Sequence, residues 1–256
     1  MTPDGKKIPN DNIVRLVDIR KTYVSGNLRV PVLKGIDATV RRGEFVGFIG
    51  TSGSGKSTLL NILGMLDVPT RGQYYLEGIE VGGLSDMEQA TIRNRKIGFI
   101  FQSFNLFSHL SVEQNIEVPM VYGQVPTKIR RKRSLDLIAR VGLGHRLGHR
   151  PTQLSGGECQ RIAIARALSN NPAFILADEP TGNLDEKTSD EIMKLFHELN
   201  RRQGVTIVMV THNPAFGPHY DKIIRLRDGK IDDTPFEWEI EQEAHRAEAE
   251  RKEAEQ

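Results

Sequence analysis

The chain has 256 residues, of which 38% are hydrophobic and 27% charged, a composition that excludes collagen, a coiled-coil rod and a fully disordered chain. Lysine and arginine total 35 against 33 aspartates and glutamates, so charge gives no support to nucleic-acid binding. The single cysteine excludes an intramolecular disulfide. No apolar run reaches the roughly 18 residues of a membrane span, and the polar N-terminus lacks the apolar core of a signal peptide. We therefore expect a cytosolic protein.

Short apolar runs alternate with amphipathic segments along the chain, after a polar arm over residues 1–12. The patterns predict strands at residues 13–17, 30–33, 45–49, 97–101, 173–177 and 205–210, and helices at residues 57–66, 128–141, 155–169 and 188–202. Strands that alternate with helices predict an α/β fold with a parallel sheet. The stretch from about 103 to 170 lacks convincing strands, which indicates a helical subdomain inserted into the core.

The last segment, residues 234–256, is strongly charged. From Glu237 onward it carries eight glutamates against three basic side chains. This composition predicts a solvated extension, helical or mobile unless a partner holds it. A disordered end without function is the alternative. The main domain is therefore expected to span residues 13–233.

A glycine-rich loop follows the apolar run at 45–49 and precedes the first predicted helix. It fits the pattern Gly-x₄-Gly-Lys-Ser/Thr, in which backbone N–H groups turn toward phosphate oxygens and the helix N-terminus adds positive potential. The lysine supplies charge for the β- and γ-phosphates, and the serine a hydroxyl for Mg²⁺. A flexible surface turn is the alternative. The predicted phosphate-binding residues are Gly50, Thr51, Ser52, Gly53, Ser54, Gly55, Lys56, Ser57 and Thr58.

A second apolar strand, at 173–177, ends in two carboxylates. Asp178 at the strand end is expected to reach Mg²⁺, directly or through water. Glu179 is expected beside the γ-phosphate as general base or as the group that positions water. A parallel sheet places the ends of this strand and of the strand before the phosphate loop on one edge.

The pentapeptide Leu154–Glu158 (Leu-Ser-Gly-Gly-Glu) lies between these two motifs. In that order the chain resembles the ATP-binding cassette (ABC) ATPases, and the resemblance covers about residues 13–231. It implies a P-loop NTPase with a RecA-like parallel-sheet core, an antiparallel β subdomain and the inserted helical subdomain. It also implies hydrolysis of ATP with Mg²⁺.

The resemblance further implies roles for single residues near one nucleotide. Tyr23 resembles the aromatic residue that stacks on adenine; a core or strand-surface tyrosine is the alternative. Gln102 resembles the glutamine that touches Mg²⁺ and the attacking water, and a polar strand cap is its alternative. His212 resembles the histidine that contacts the γ-phosphate, whereas a histidine after a strand is otherwise a structural residue.

Other residues resemble parts that act across two subunits. Ser155, Gly156 and Gly157 resemble the donors that close over the γ-phosphate of ATP held by the other subunit, and a plain helix N-cap is the alternative. Asp185 resembles part of the loop that crosses between subunits and is equally plausible as a helix cap. The one departure is Cys159, where the family usually has Gln, Arg or Lys; the thiol is either activated by the helix dipole or packed and inert.

Residues 64–72, 93–102 and 177–185 resemble the ATPases of the lipoprotein-releasing and macrolide-exporting type, and also the cell-division ATPase. The resemblance implies a homodimer on the cytoplasmic face of the inner membrane, peripheral, and bound to an integral-membrane permease on a separate chain. No nucleic acid is expected. Two alternatives are a mechanotransmitting ATPase without transported substrate and a soluble non-transport ABC protein.

The segment that follows Gln102 is unusually apolar from 103 to 110. Such a stretch either forms an exposed apolar groove or is buried. The resemblance favours a groove that receives a short cytoplasmic helix of the permease, with Leu106 among its exposed members. Packing of Phe104 and Phe107 inside the helical subdomain is the alternative.

Overall fold

The computed structural model describes residues 11–234, so residues 1–10 and nearly all of the charged tail lie outside the described residues. The described strands are β1 (Asn12–Ser25), β2 (Leu28–Arg41), β3 (Phe45–Gly50), β4 (Arg71–Leu76), β5 (Ile79–Glu80), β6 (Ile97–Ile100), β7 (Phe174–Asp178), β8 (Ile207–Thr211), β9 (Lys222–Arg227) and β10 (Lys230–Ile231). The helices are α1 (Lys56–Leu63), α2 (Asp86–Lys96), α3 (Val112–Tyr122), α4 (Thr127–Arg140), α5 (Gly156–Leu168) and α6 (Glu186–Gln203).

One sheet is antiparallel, with strand order β2-β1-β4-β5. Its two long strands form a hairpin and are much longer than the short apolar runs that predicted them. The reason is that their outer halves, toward Ser25 and Leu28, are exposed and lose the apolar alternation. β4 was not predicted because it begins with the polar residues Arg71, Gly72 and Gln73.

The other sheet has the order β10-β9-β3-β8-β7-β6, and its neighbours are parallel except for β10 at the edge. Both faces are covered, so successive side chains enter two different cores. In β7, Phe174 and Leu176 pack with α1 and the antiparallel sheet, whereas Ile175 and Ala177 pack with the helices α3 to α6. This double burial explains the continuous apolar runs in the sequence.

Between Ile100 and Phe174 the described chain holds α3, α4, α5 and two 3₁₀ turns, and no strand. Two helices, α2 and α3, were not predicted, since α2 is mostly polar and α3 contains Pro119. α1 ends at Leu63, three residues before the predicted end, because Gly64 caps it and Met65 is left-handed with φ 51°. No helix among residues 11–234 is long and apolar enough to cross a bilayer.

The parallel direction of the strands positions the site. Ile49 pairs with Thr211, and Asp178 pairs with Val210, so β3, β7 and β8 end level with one another. β6 joins them through Ile100 beside Ala177. The loops that follow these four strands therefore emerge at one edge of the sheet, where α/β folds bind ligands.

Candidate nucleotide site

The glycine-rich loop after β3 has a backbone that only glycine adopts easily. Gly53 and Gly55 have φ of 79° and 102°, in the left-handed region that side chains disfavour. At Gly50 a Cβ atom would lie 2.3 Å from the carbonyl oxygen of Leu226, so the loop lies directly against β9. The turn ends where α1 begins at Lys56, so the N-terminus of this helix faces the space that the loop encloses.

Lys56 brings a buried positive charge to this loop. Its Nζ donates to the carbonyl oxygens of Gly50 at 2.7 Å and Thr51 at 2.9 Å. Burial lowers the pKa of the ammonium group, while the charges of Glu179 and Asp178 act in the opposite direction. The lysine therefore lies between the loop and the carboxylates at the end of β7.

Asp178 supplies a carboxylate in an environment that disfavours its ionised form. Burial raises the pKa of Asp178, the charge of Glu179 raises it further, and Lys56 partly compensates. A carboxyl with a raised pKa in the folded chain lowers stability when it is ionised, so a nearby cation is favourable. Asp178, the hydroxyl of Ser57 and the side-chain amide of Gln102 are oxygen donors of the kind that suits Mg²⁺, and all three lie at or after the ends of strands that meet at this sheet edge. Among residues 11–234, no three His, Cys, Asp or Glu side chains form a metal cluster.

Glu179 and His212 form a close pair beyond the strand ends. The carboxylate Oε2 lies 2.5 Å from Nδ1 of His212, and the histidine side chain is 64% exposed against 19% for the glutamate. Glu179 has a left-handed φ of 42°, and its N–H donates to Val210 at 2.8 Å. Such backbone strain costs about 1–3 kcal/mol and persists where surrounding contacts impose it. The contacts therefore fix where this carboxylate lies.

Gln102 is tied to the loop that precedes α6. Its Nε2 donates to Oδ1 of Asn183 at 3.3 Å, and Nδ2 of Asn183 donates back to the Gln102 carbonyl at 3.1 Å. A Cβ atom on Gly182 would lie 2.7 Å from Gln102 Nε2, so this glycine leaves room for the side chain. The segment after β6 and the loop after β7 are thus joined directly.

Ser155 caps α5 within its own chain. Its Oγ accepts from the N–H of Glu158 at 3.2 Å, and the Glu158 carboxylate accepts from the Ser155 N–H at 2.8 Å. This capping box is braced by Arg146, whose Nε lies 2.7 Å from Glu158. Ser155 and Gly156 are exposed, so the start of α5 faces solvent, while the capping box and Arg146 fix its geometry.

Asp185 is the N-cap of α6. Its Oδ1 accepts from the N–H of Thr188 at 3.0 Å, and Oδ2 accepts from the Thr188 hydroxyl at 2.7 Å. The hydroxyl of Thr188 is the main cause that lowers the pKa of Asp185. The same threonine approaches Gly157, where a Cβ atom would lie 2.6 Å from its Cγ2. The start of α6 therefore packs against the start of α5.

Tyr23 lies at the exposed end of β1. Its hydroxyl donates to Asp67 at 2.9 Å, and Lys21 Nζ lies 2.5 Å from the same carboxylate. The ammonium group is also 5.0 Å from the Tyr23 ring centre. These contacts fix an aromatic ring that remains 41% exposed and is available for stacking.

Two residues of this region were not predicted from the sequence. Gln160 is fully buried in α5, and its Nε2 donates at 2.7 Å to the carbonyl of Pro180, the residue after Glu179. Arg166, also buried in α5, donates to the carbonyls of Phe104 and Asn105. The available signal was a polar side chain within an otherwise apolar, buried helical run, because such groups need partners.

In the apolar segment after Gln102, one side chain lines an exposed groove and another is half-buried against the core. Phe107 is 45% exposed and lines a groove of about 490 Å³, which we name the β6 groove, together with residues of α2, β6, α3 and α5. Phe101 and Tyr122 also line it. Leu106 was expected to be exposed, and this was wrong: it is half-buried against the core of α3 to α6. The bends of the irregular segment turn neighbouring side chains to opposite sides.

Cys159 lies in the first turns of α5 but is buried, with Sγ 3.6 Å from the carbonyl of Pro151. Burial raises the pKa of the thiol, and the charge of Glu158 raises it further. Both effects oppose the helix dipole. The structure therefore favours the packed and inert alternative.

The ABC transporter sequence family matches residues 33–182 of the chain. An uncharacterised ABC transporter ATP-binding protein of Thermotoga maritima is 54% identical over 86% of this chain and 94% of its own length. The macrolide export ATP-binding/permease protein MacB of Syntrophobacter fumaroxidans is 51% identical over 86% of this chain, which spans only 31% of that relative.

Solved structures resemble the chain as well. A dimeric ATP-binding cassette in a post-hydrolysis state, bound to ADP and Pi, is 44% identical, has a TM-score of 0.78, and is matched over 87% of this chain and 100% of its own. A second dimeric structure, of a bacterial ABC transporter cassette, gives the same values. These similarities confirm the expected α/β cassette fold.

Because Cys159 is buried, we expect its thiol to react slowly in the native protein. Because its pKa is raised, little thiolate is present near neutral pH, and thiolate is the reactive form. A thiol-specific reagent should label the native protein at least about tenfold more slowly than the protein unfolded in urea. Labelling of the native protein should accelerate as the pH rises. Equal labelling rates of native and unfolded protein near neutral pH would contradict burial of this side chain.

Proposed function

The chain belongs to the ABC transporter family, and from that premise we propose that it is the ATP-hydrolysing motor subunit for an integral-membrane permease on a separate chain. The observation that carries the proposal is the arrival of four strand ends at one sheet edge, which gathers the phosphate loop, Gln102, Asp178 with Glu179, and His212. The Thermotoga maritima relative, which the chain matches over 94% of its length, is named as an ATP-binding protein, which supports a separate permease.

In this proposal the nucleotide lies across the glycine-rich loop. Backbone N–H groups and Lys56 bind the phosphates, and the half-exposed ring of Tyr23 stacks on adenine. Ser57, Gln102 and Asp178 would hold Mg²⁺, whose charge offsets that of the phosphates. The raised pKa of Asp178 supports a cation beside it.

Glu179 is proposed as the general base. Its carboxylate is anchored by strained backbone and by contact with His212, so it can accept a proton from water aligned with the γ-phosphate. His212 is proposed to orient this carboxylate and to donate to the γ-phosphate. Catalysis then consists mainly of positioning and charge stabilisation, as in other phosphoryl transfers.

We propose that two chains bind head to tail. The exposed N-terminus of α5, with Ser155, Gly156 and Gly157, has the oriented N–H groups of an anion site. In a head-to-tail dimer these groups would face ATP on the other chain, and Asp185 would lie at the crossing. The dimeric solved relatives support this arrangement.

The β6 groove is proposed to receive a short cytoplasmic helix of the permease. Exposed Phe107 and Tyr122 give it the apolar, aromatic lining that suits helix-in-groove recognition. Docking there would hold the ATPase peripherally at the cytoplasmic face of the inner membrane. The similarity to the MacB protein of Syntrophobacter fumaroxidans favours export of a substrate over mechanotransmission as the use of this motor.

The assignment of the base predicts the behaviour of Glu179→Gln. The amide fits the same space but cannot take a proton, so turnover should fall by roughly 10²–10⁴-fold while ATP binding is retained. ATPase rates and nucleotide affinity measure the two effects. The control is Glu198→Gln, an exposed glutamate paired with Arg202 on α6, which should retain full turnover. A Glu179→Gln protein with wild-type turnover would disprove this assignment.

The docking proposal predicts the effect of Phe107→Glu. A charge in the β6 groove should weaken co-sedimentation with membranes that contain the permease by about tenfold or more, because an aromatic anchor that docking would bury is lost. Folding and ATP binding should be unaffected, since the side chain is exposed. Met87→Glu, at an 80% exposed position outside the groove lining, is the matched control. If both variants bind membranes equally, the docking surface lies elsewhere.

A further inference from the structure

The loop after Gln102 is fastened to α5 at two points, and we propose that Arg166, at one of them, is a positioning residue for ATP hydrolysis. Arg166 fixes the position of the loop that follows Gln102 relative to Ser155, which lies at the start of α5. The proposal rests on the roles of Gln102 and Ser155 proposed above, and it adds the connection between them.

The first fastening is a forked contact. Nη1 of Arg166 donates to the carbonyl of Asn105 at 2.5 Å, and Nη2 donates to the carbonyl of Phe104 at 2.8 Å. The arginine residue is only 9% exposed, and burial lowers its pKa to about 10, so it remains charged at neutral pH. A buried guanidinium group depends on such acceptors, and its planar fork fixes both of them at once.

The loop adopts a strained backbone that turns both acceptor carbonyls toward the guanidinium group of Arg166. Phe104 and Asn105 both have left-handed backbones, with φ of 61° and 48°, an unfavourable conformation for residues with side chains. Two such residues in succession turn their carbonyl oxygens to one side, whereas extended residues alternate them. The guanidinium group of Arg166 therefore stabilises a conformation that the loop would not adopt by itself.

The second fastening lies at the start of α5. A Cβ atom on Gly156 would lie 3.7 Å from Cζ of the Phe104 ring and 3.2 Å from Leu184. The ring of Phe104 therefore lies beside the exposed start of the helix, while its carbonyl accepts from Arg166. Because a helix is a rigid element, a shift of the loop is transmitted to Ser155.

The fastened loop also forms part of a surface. Asn105, Phe107 and Arg166 all line the β6 groove. A helix that binds in this groove would press on the carbonyls that Arg166 holds. Through Arg166, binding of a helix in the β6 groove would therefore affect the positions of both Gln102 and Ser155.

The test compares Arg166→Lys with Arg133→Met in the full chain. Lysine keeps the charge but is shorter and lacks the planar fork, so it cannot hold the two carbonyls in the geometry that Arg166 imposes. Arg133 also donates to a main-chain carbonyl, that of Ser169 at 3.0 Å, just after the C-terminal end of α5. Three quantities are measured: kcat per bound nucleotide, KM, and hydrogen exchange of the amides at residues 103–107.

For Arg166→Lys we expect kcat per bound nucleotide to fall about tenfold or more, because the rate falls steeply when catalytic groups are misplaced. KM should be nearly unchanged, and hydrogen exchange in the loop should be faster. Arg133→Met should keep the wild-type kcat. A purely structural role would lower the fraction that binds nucleotide and leave kcat per bound nucleotide unchanged, which would overturn the proposal. A wild-type protein without ATPase activity would instead overturn the proposed function.

If Arg166→Lys does not fold, Asn105→Pro tests the same link from the exposed loop. Proline fixes φ near −65° and excludes the left-handed conformation, while Arg166 is retained. The same loss of kcat per bound nucleotide is expected. Wild-type kcat in Asn105→Pro, with the loop exchanging faster, would overturn the proposal.

Discussion

The parallel alignment of β3, β6, β7 and β8 is the constraint on which the site depends. Because these strands run in one direction and end level with one another, four loops distant in sequence meet at one edge. Each loop brings one chemical group: a phosphate cradle, an amide, a carboxylate pair and a histidine. Burial of both sheet faces fixes the strands, and with them the points from which the four loops start.

α5 connects this edge to the surfaces that we propose contact other chains. Its exposed start carries Ser155, whereas its buried length carries Gln160 and Arg166, whose side chains bond to the loops after β7 and β6. Polar groups buried at this depth are costly unless they are paired. Their pairing makes the positions of the helix and the loops interdependent. A motor needs this interdependence, because events at the nucleotide must move a distant surface.

The sequence predicted the sheet edge well, since apolar runs ending in Asp178 or followed by glycines have a simple physical meaning. The resemblance named the remaining site residues, and the helix caps considered as alternatives for Ser155 and Asp185 are present in the structure. The position of Arg166 in an apolar helical run indicated a buried polar group, but its partners, two carbonyls some 60 residues away, leave no pattern in the chain. Leu106 was misplaced because an irregular segment has no periodicity from which burial can be inferred.

We propose that each ATP site is built from two chains, and mixing two inactive variants tests this arrangement directly. Lys56→Ala disables the phosphate loop, and Ser155→Arg disables the start of α5. In a mixed dimer one site keeps both intact parts, so an equal mixture should recover up to about a quarter of wild-type ATPase activity. No recovery at any ratio, together with no ATP-dependent doubling of mass, would contradict the account.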